Sequence, residues 1–477
     1  MNSTAIQQNV FDETLLQIGD LLDAPGMRWV FERELGCPVE ACQIVRAKLR
    51  PGRNCLVGYR LKVMEPIKGE TREQLLTLAA FGKGESRERF NLAQRQPLVS
   101  TSIGKAVFHL PELEAVVWGF PNDRKLPGLP AITDNARLKE LLPEIIANHF
   151  GREWEITALA SDVVSYAAER ACTVRVKLEL SNSRTGASFP QTLFGKTYRS
   201  GEGEAVWRTM GRIWRQGRLL IPQPLRFQPE IHTLWQQGLA GNTLEAFDAE
   251  SVDGSMEGDC QAGSRTEGPR SSVLDRKRNV RDPAGKLAKA GAAVAELHRL
   301  RIPDLPLRDA VSPLEALAAA ENLLACAAPN CQPKLHLLVR RLTDAFGKIQ
   351  TQPAAILHGD LHLKNFLVTG EKIALIDWDN VCRGDPMQEL GSFAASLHYR
   401  ALLGERSVEA TESLIDSFVE AYLAAPEGEV QASALNWHAA AALIYERAHR
   451  HVVRLNTDAP RVVSELIELA LRLTGKL

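Results

Sequence analysis

Apolar positions follow two regimes along this chain: they alternate in the first half and recur at helical spacing in the second. Cys55-Leu56-Val57-Gly58-Tyr59-Arg60-Leu61-Lys62-Val63 alternates with period two, and so does Cys172-Thr173-Val174-Arg175-Val176-Lys177-Leu178-Glu179-Leu180. Each reads as a half-buried strand. Each is followed by a turn-rich or charged link and an apolar strand ending in Phe-Gly-Lys, at Phe81-Gly82-Lys83 and Phe194-Gly195-Lys196. A charged helical segment follows both, 85–94 and 203–216, then Gln96-Pro97-Leu98 and Gln223-Pro224-Leu225. Each stretch closes on a hairpin, with Pro111-Glu112 before Val116-Val117-Trp118 and Pro229-Glu230 before Thr233-Leu234-Trp235. So many landmarks in one order predict a duplicated unit of roughly 110 residues, built strand-strand-strand-helix-strand-strand. The second unit is preceded by a predicted helix over 135–150.

Composition then shifts. Residues 250–280 are dominated by Gly, Ser, Asp and Arg, which predicts a mobile insertion that cannot bury enough surface to order itself. Beyond it, helical periodicity runs over 287–300, 313–327, 333–350, 386–401, 407–424, 430–454 and 459–474. Among these helices lie two short apolar runs, Phe366-Leu367-Val368 and Ile373-Ala374-Leu375-Ile376, which predict a hairpin.

That hairpin is flanked by the chain's most informative residues. His358-Gly359-Asp360-Leu361-His362-Leu363-Lys364-Asn365 precedes it and Asp377 follows it. A carboxylate, an amide and a second carboxylate at this spacing suit phosphoryl transfer, in which the protein positions a hydroxyl and phosphate charge is screened by metal. Asp360 is the candidate acceptor of the hydroxyl proton, and Asn365 and Asp377 offer the oxygen ligands that Mg²⁺ prefers.

The ordered set H-G-D-x-x-x-x-N, I-D-W, Gly384-Asp385-Pro386 and Glu389-Leu390 resembles the aminoglycoside phosphotransferase and choline kinase-like family of small-molecule kinases. Glu389 stands where that family more often has Asp. The resemblance implies an α+β, protein-kinase-like bilobal fold, with a β-rich small lobe and a mainly helical large lobe. It divides the chain into a small-lobe-like N-terminal module (1–130), the working small lobe (131–248), the insertion (249–282) and the helical lobe with the catalytic hairpin (283–477).

It also implies ATP and Mg²⁺ as cofactors and a small-molecule hydroxyl as acceptor. Lys196 resembles the family's nucleotide lysine, with Glu204 or, nearly as well placed, Glu202 as its ion-pair partner. The phosphate-facing turn, 165–171, has no glycine, leaving Ser165 or backbone N–H groups to contact phosphate. Gln236-Gln237-Gly238 reads as the hinge that meets adenine, and Gly241-Asn242-Thr243-Leu244 matches the family's G-x-T-L at the lobe junction. Ala295-Glu296-Leu297-His298 resembles the helix before the catalytic segment, with His298 as a packing and hydrogen-bonding residue. His362 is expected to fix the catalytic loop, and Asp379 and Asn380 to face the acceptor. The extra module lacks a catalytic half of its own, which leaves cap, dimerisation surface and substrate recognition as its roles. The rival class is a non-catalytic, nucleotide-binding interaction protein.

Composition narrows the remaining choices. The chain has 477 residues, 45% hydrophobic and 24% charged, with a formal net charge of −1, so no global field favours nucleic acid or an anionic membrane. No apolar run approaches the ~18 residues of a membrane span. Residues 1–20 show no basic segment followed by an apolar core, and none of the eight cysteines forms C-x-x-C. Both facts suit buried thiols in a reducing cytoplasm better than disulfides or zinc. The run Arg447-Ala448-His449-Arg450-His451 lacks the Glu of a zinc helix and reads as a solvated face rather than the lining of an anionic pocket.

Overall fold

The computed structural model describes residues 14–64, 69–102, 104–246, 282–308, 312–349, 352–424 and 431–475. The insertion expected over 249–282 lies outside the described residues except for Asp282. The chain forms two compact units. One comprises Met1–Arg208, Pro224–Gly238 and His451–Ala459, the other Thr209–Gln223, Leu239–Arg450 and Pro460–Leu477.

Helices α1 (Ile18–Leu22) and α2 (Ala24–Leu35) open the first unit. Strands β1 (Val39–Arg50), β2 (Asn54–Met64) and β3 (Thr71–Ala80) follow, then α3 (Ser86–Ala93), β4 (Val107–Leu110) and β5 (Ala115–Gly119). They form an antiparallel sheet ordered β1-β2-β3-β5-β4. Helices α4 (Leu129–Thr133), α5 (Asn135–Leu141) and α6 (Pro143–Phe150) come next. The single helix expected over 135–150 is therefore two, because Pro143 cannot continue the α5 ladder but suits the first turn of α6. A second antiparallel sheet is built from β6 (Trp154–Ala167), β7 (Ala171–Asn182), β8 (Ser188–Tyr198), β9 (Pro224–Gln228) and β10 (Thr233–Gln237), with α7 (Glu202–Gln216) between β8 and β9. Its order, β6-β7-β8-β10-β9, repeats that of the first.

The alternation in the sequence decides which face of each sheet is buried. Cys55, Val57, Tyr59, Leu61 and Val63 turn one face of β2 into a core shared with Ile18, Leu21, Met27 and Phe31. Cys172, Val174, Val176, Leu178 and Leu180 do the same on β7 against Leu129, Ile132, Leu138 and Ile145. Each such side chain contributes about 1.5–3 kcal/mol on burial, so a one-residue slip, which would move the whole set to the other face, is strongly opposed. All cysteines among the described residues are free, and burial pushes the Cys55 and Cys172 thiols up to about 12.

A buried polar knot joins the two sheets within this unit. Glu169, in the turn between β6 and β7, is 3% exposed and meets Arg124 at 2.6 Å, Arg50 at 2.8 Å and Lys125 at 3.2 Å. Burial pushes its carboxyl up, yet these cations together hold it below the usual range. Asp123 Oδ2 accepts from Tyr166 Oη at 2.7 Å and from the Glu169 N–H at 2.9 Å, and Tyr166 Oη lies 3.2 Å from Thr77 Oγ1 of β3. Glu169 occupies the left-handed region at φ 61°, where the equivalent turn of the first sheet has Gly52 at φ 66°.

In the second unit, β11 (Asn242–Thr243), β13 (Phe366–Thr369) and β14 (Lys372–Leu375) form one small sheet, and β12 (Ala355–Leu357) pairs with β15 (Cys382–Gly384). Around them stand α8 (Pro283–His298), α9 (Pro313–Ala327), α10 (Gln332–Phe346), α11 (Pro386–Leu402), α12 (Val408–Leu423), α13 (Ala432–Ala442) and α15 (Ala459–Thr474), whereas α14 (His449–Val453) falls mostly within the first unit. The helix expected over 430–454 is interrupted by a π-helical stretch, Leu443–Ala448. Such widenings concentrate at functional positions because they re-aim side chains. Among the described residues no helix is long and apolar enough to cross a membrane.

Two predictions follow from these buried charges. Glu169→Ala leaves Arg124, Arg50 and Lys125 facing one another and is expected to cost about 3–5 kcal/mol in urea unfolding; a change under 1 kcal/mol would contradict the knot. His438 on α13 is 4% exposed, and burial, with Arg308 adding, lowers its pKa to about 4. Below pH 6.5 the unfolded chain protonates this histidine while the folded chain does not until about pH 4. Stability is therefore lost as pH falls through that window, by on the order of 3 kcal/mol. Urea titrations at pH 7 and pH 4 should show His438→Gln losing less stability than wild type; equal losses would contradict the buried neutral ring.

Candidate active site

The β13–β14 hairpin sets the geometry of the site. Phe366 pairs with Leu375 and Thr369 with Lys372, so the residues just outside each strand, Asn365 and Ile376, face each other. The Ile376 N–H donates to the Asn365 carbonyl at 3.0 Å. This brings Asn365 beside Asp377, as the two apolar runs predict. Asp377 stands at φ 67°, a left-handed conformation that costs a non-glycine residue about 1 kcal/mol or more and marks a constrained site. Asn242 and Thr243 of the G-x-T-L segment extend this sheet, pairing with Val368 and Leu367.

Asn365 is 3% exposed, and its Nδ2 donates to the Asp360 carbonyl at 2.8 Å. The amide oxygen is thereby the end left to accept, across the hairpin from the residue that precedes Asp377. One neutral and one anionic oxygen suit Mg²⁺, which takes few protein ligands and fills its shell with phosphate and water. Among the described residues no group of three or more His, Cys, Asp and Glu is arranged to hold a metal. The donor set thus fits a hard cation shared with a phosphate, not an all-protein cage.

The segment carrying Asp360 is held from behind by Glu389 on α11. Glu389 is 1% exposed, and its carboxylate accepts from the Gly359 N–H at 2.6 Å and the His358 N–H at 3.0 Å. Its Oε2 also lies 3.0 Å from Nε2 of His298, whose Nδ1 is 2.9 Å from Tyr422 Oη. Burial pushes the Glu389 carboxyl up, but the His298 and Gly359 contacts win and hold it below the ordinary range. Asp385 of the Gly-Asp-Pro segment caps α11, its Oδ1 accepting the Met387 N–H at 2.8 Å. His358 in turn lies 2.9 Å from the Ile376 carbonyl through Nε2.

Gly359 explains the Gly of H-G-D. It has φ 82°, and a Cβ there would stand 2.1 Å from the Asn380 carbonyl oxygen. No side chain fits where this loop crosses the one following Asp377. His362 Nε2 lies 3.8 Å from the Asp360 carboxylate and 3.4 Å from Asn365 Nδ2. Burial, with Arg447 and His358 adding, lowers the His362 pKa against the opposing pull of Asp360.

Arg447 is where the sequence reading fails. It is 8% exposed, not on a solvated face, and its Nη2 donates to the Ser392 carbonyl at 3.2 Å. Its charge acts on both Asp360 and His362. His451 is buried as well, 2.8 Å from Asp458, and only Arg450 of that run is exposed. The π-helical stretch, invisible as a sequence period, turns Arg447 inward.

The residues expected to meet nucleotide lie in the first unit. Strand pairing sets Ser165, Thr173, Lys196 and Leu234 opposite one another in a single row across β6, β7, β8 and β10. Residues directly opposite share a face, so Ser165 and Lys196 lie on the side away from the Val174–Val176 core. Ser165 is exposed at the outer end of that row and borders a cavity beside the first sheet. Gln236 follows Leu234 on this face, Gln237 alternates to the other, and the Gly238 N–H donates to Thr192 at 2.8 Å. Glu204 meets Arg208 at 2.6 Å, and Glu202 meets Ser200 at 2.7 Å and Arg199 at 3.5 Å.

The row has a counterpart in the first sheet, Lys48, Leu56, Ala79 and Val116. The residue paired as Lys196 is paired is therefore Ala79, and Lys83 lies beyond the end of β3. The matching Phe-Gly-Lys triplets are out of register, a coincidence of composition rather than position. The two tryptophans are likewise displaced: Trp118 corresponds to Gln236, not Trp235.

Residues 212–443 match the model of the phosphotransferase enzyme family, APH. Among solved structures, a choline/ethanolamine kinase family protein from Mesorhizobium loti is 17% identical, with 70% of this chain and 93% of that one covered, at a TM-score of 0.41. Choline kinase from Cryptosporidium parvum is 10% identical, with 72% and 96% covered, at 0.47. A thermostable mutant of an aminoglycoside phosphotransferase, in ternary complex with ADP and hygromycin B, is 12% identical, with 70% and 98% covered, at 0.42. The resemblance carried by the H-G-D, I-D-W and Gly-Asp-Pro segments holds in the family match. The protein is a phosphotransferase with an alcohol group as acceptor.

Glu389→Gln replaces one carboxylate oxygen with an NH₂ group, so only one of the backbone N–H groups of His358 and Gly359 keeps its acceptor. A loss of about 2–4 kcal/mol in stability is expected, together with a fall in turnover, because the loop bearing Asp360 loses its anchor. Urea unfolding and a steady-state phosphotransfer assay check it. Unchanged values in both would show that the loop holds itself.

Proposed function

We propose that the protein is an ATP- and Mg²⁺-dependent kinase that transfers the γ-phosphoryl group to a hydroxyl of a small molecule of the sugar, aminoglycoside or amino-alcohol class. The observation that carries this reading is the triad Asp360, Asn365 and Asp377, gathered on one loop and one hairpin and braced by a buried carboxylate. A scaffold with no chemistry to perform has no need of all three.

In this reading the acceptor hydroxyl approaches Asp360, which orients it and takes its proton as the oxygen bonds to the γ-phosphorus and the bond to the β-phosphate oxygen breaks. Asn365 Oδ1 and the Asp377 carboxylate would hold Mg²⁺, which would supply positive charge to screen the phosphates. His362, kept below its usual pKa by burial, remains neutral near pH 7 and packs beside Asp360 without competing for the proton. Arg447 adds a fixed positive charge close to the base.

Residues 131–248 serve as the working small lobe. Lys196 neutralises α- and β-phosphate charge, and Ser165 and the turn after β6 contribute at the outer end of the same row. The segment Gln236–Gly238 receives adenine with the backbone groups that Thr192 does not occupy. Glu204 and Glu202 have arginine partners, so pairing of either with Lys196 requires exchange on nucleotide binding. Residues 1–130 form a small-lobe-like module related to 131–248 by duplication, a reading supported by the repeated strand order.

A pooled library of sugars and amino alcohols, assayed for Mg²⁺-dependent ATP consumption with phosphorus NMR of the product, tests the proposal. Acceptor-dependent consumption is expected, and its absence across the library would sink the reading. With an acceptor in hand, Asp360→Asn should keep ATP affinity and lower transfer by about 10²–10⁴-fold. Lys196→Ala should lower kcat/KM by about 10²-fold or more, roughly 3 kcal/mol of transition-state stabilisation. Wild-type rates in Asp360→Asn would remove it as the base.

A further inference from the structure

The first sheet has kept the face on which the second carries Lys196 but furnished it differently. Leu56, Ala79, Val116 and Trp118 pack there with Phe81, Phe90 and Ala168, the last from the turn between β6 and β7. Beside this packed patch a cavity of about 380 Å³ opens, walled by β1, β2 and β3 on one side and by residues of the β6–β7 hairpin on the other.

Its lining has two chemistries. Arg46, Lys48, Arg60 and Arg170 bring positive charge, Leu56 and Val164 are apolar, and no Asp or Glu lines it. Arg50 borders the cavity too but is committed to Glu169. Glu73 stands at the rim, 4.0 Å from Arg60, with both side chains about half exposed. After burial, Arg50, Arg46, Arg170 and Arg454 each lower the basicity of Lys48. Like charges gathered at one recess raise its positive potential and draw an anion to it. Guanidinium groups match phosphate oxygens in pairs, and an ammonium adds a point charge. The apolar wall gives a carbon skeleton somewhere to lie, and the volume is that of a small-molecule site.

We infer that the first sheet and the β6–β7 hairpin together form a second ligand site, for a small organic molecule bearing phosphate. Its occupant bridges two elements of the first unit. Arg46, Lys48 and Arg60 belong to the first sheet, whereas Arg170 belongs to the turn that Glu169 ties down. That turn joins β6 to β7, the strands that carry Ser165 and Thr173 of the Lys196 row. The occupant therefore adds a second tie on the hairpin, parallel to the Glu169 knot. This site needs no turnover to be occupied. Only its consequence for nucleotide handling rests on the proposed kinase reading.

Isothermal titration calorimetry of the full chain with ADP, glucose 6-phosphate and inorganic pyrophosphate tests the site. It is run without magnesium on the Asp377→Ala protein, so that the proposed catalytic metal site is silent. Binding of ADP or glucose 6-phosphate is expected, tighter than that of pyrophosphate, and weakened about tenfold or more by Lys48→Glu added to that background. Should Lys48→Glu not fold, Arg170→Ala on the exposed turn gives the same readout with a smaller loss. Failure of all three compounds to bind, equal binding of pyrophosphate and the organic phosphates, or affinities unchanged by both substitutions would each overturn the inference. Acceptor-dependent turnover of the wild-type protein is measured separately, so loss of this site and loss of the kinase reading are told apart.

Discussion

The carboxylate of Glu389 is the fixed point of the catalytic unit. It is fully desolvated, and a charge in that position is tolerated only because its oxygens are met by hydrogen-bond partners. Those partners come from separate parts of the chain: the His358 and Gly359 N–H groups from the loop, and His298 from α8, itself in contact with Tyr422 of α12. One buried anion thus sets the position of the Asp360 loop relative to three helices. Gly359 completes the restraint from the other side, where the loop touches the Asn380 carbonyl too closely for any side chain. The loop bearing Asp360 is therefore held by backbone contacts on both flanks, the precision that the proposed proton-transfer step would demand.

The first unit is organised by the same device with the opposite balance. There a single carboxylate, Glu169, is shared among Arg50, Arg124 and Lys125. It lies at a left-handed turn position that the first sheet fills with glycine. A glutamate accepts that backbone cost, about 1 kcal/mol or more, only where its side chain recovers it through charge-assisted contacts. A turn that would otherwise be free is tied to the neighbouring sheet. The β6–β7 turn lacks glycine, and this contact substitutes for the plasticity glycine gives: the hairpin is placed by a neighbour instead of by its own flexibility.

How much of this was legible in the sequence depended on how local each signal was. The β13–β14 hairpin lies in one short stretch flanked by Asp360, Asn365 and Asp377, and its period sufficed to find it. The helices were legible for the same reason, except where Pro143 in the first unit and the π-helical stretch in the second broke a period that composition alone would have continued. The repeated sheet was legible in the order of its elements but not in their register. The Phe-Gly-Lys triplets agree in composition, whereas strand pairing, which is non-local, puts Ala79 and not Lys83 opposite Leu56 and Val116. Arg447 was misjudged because a helical run of Arg and His is usually solvated. Only the widened turn and the distant Ser392 carbonyl reveal that it points inward.

Register also carries the comparison between the two sheets furthest. Lys48, Leu56, Ala79 and Val116 stand where Ser165, Thr173, Lys196 and Leu234 stand. On β3 an alanine stands where β8 has a lysine, and on β1 a lysine stands where β6 has a serine. Positive charge on that face thus lies at the edge of the first sheet and in the middle of the second. Ala79 and Leu56 pack with Val116 and Trp118, so the middle is filled with apolar side chains. At the edge, the cations border open volume.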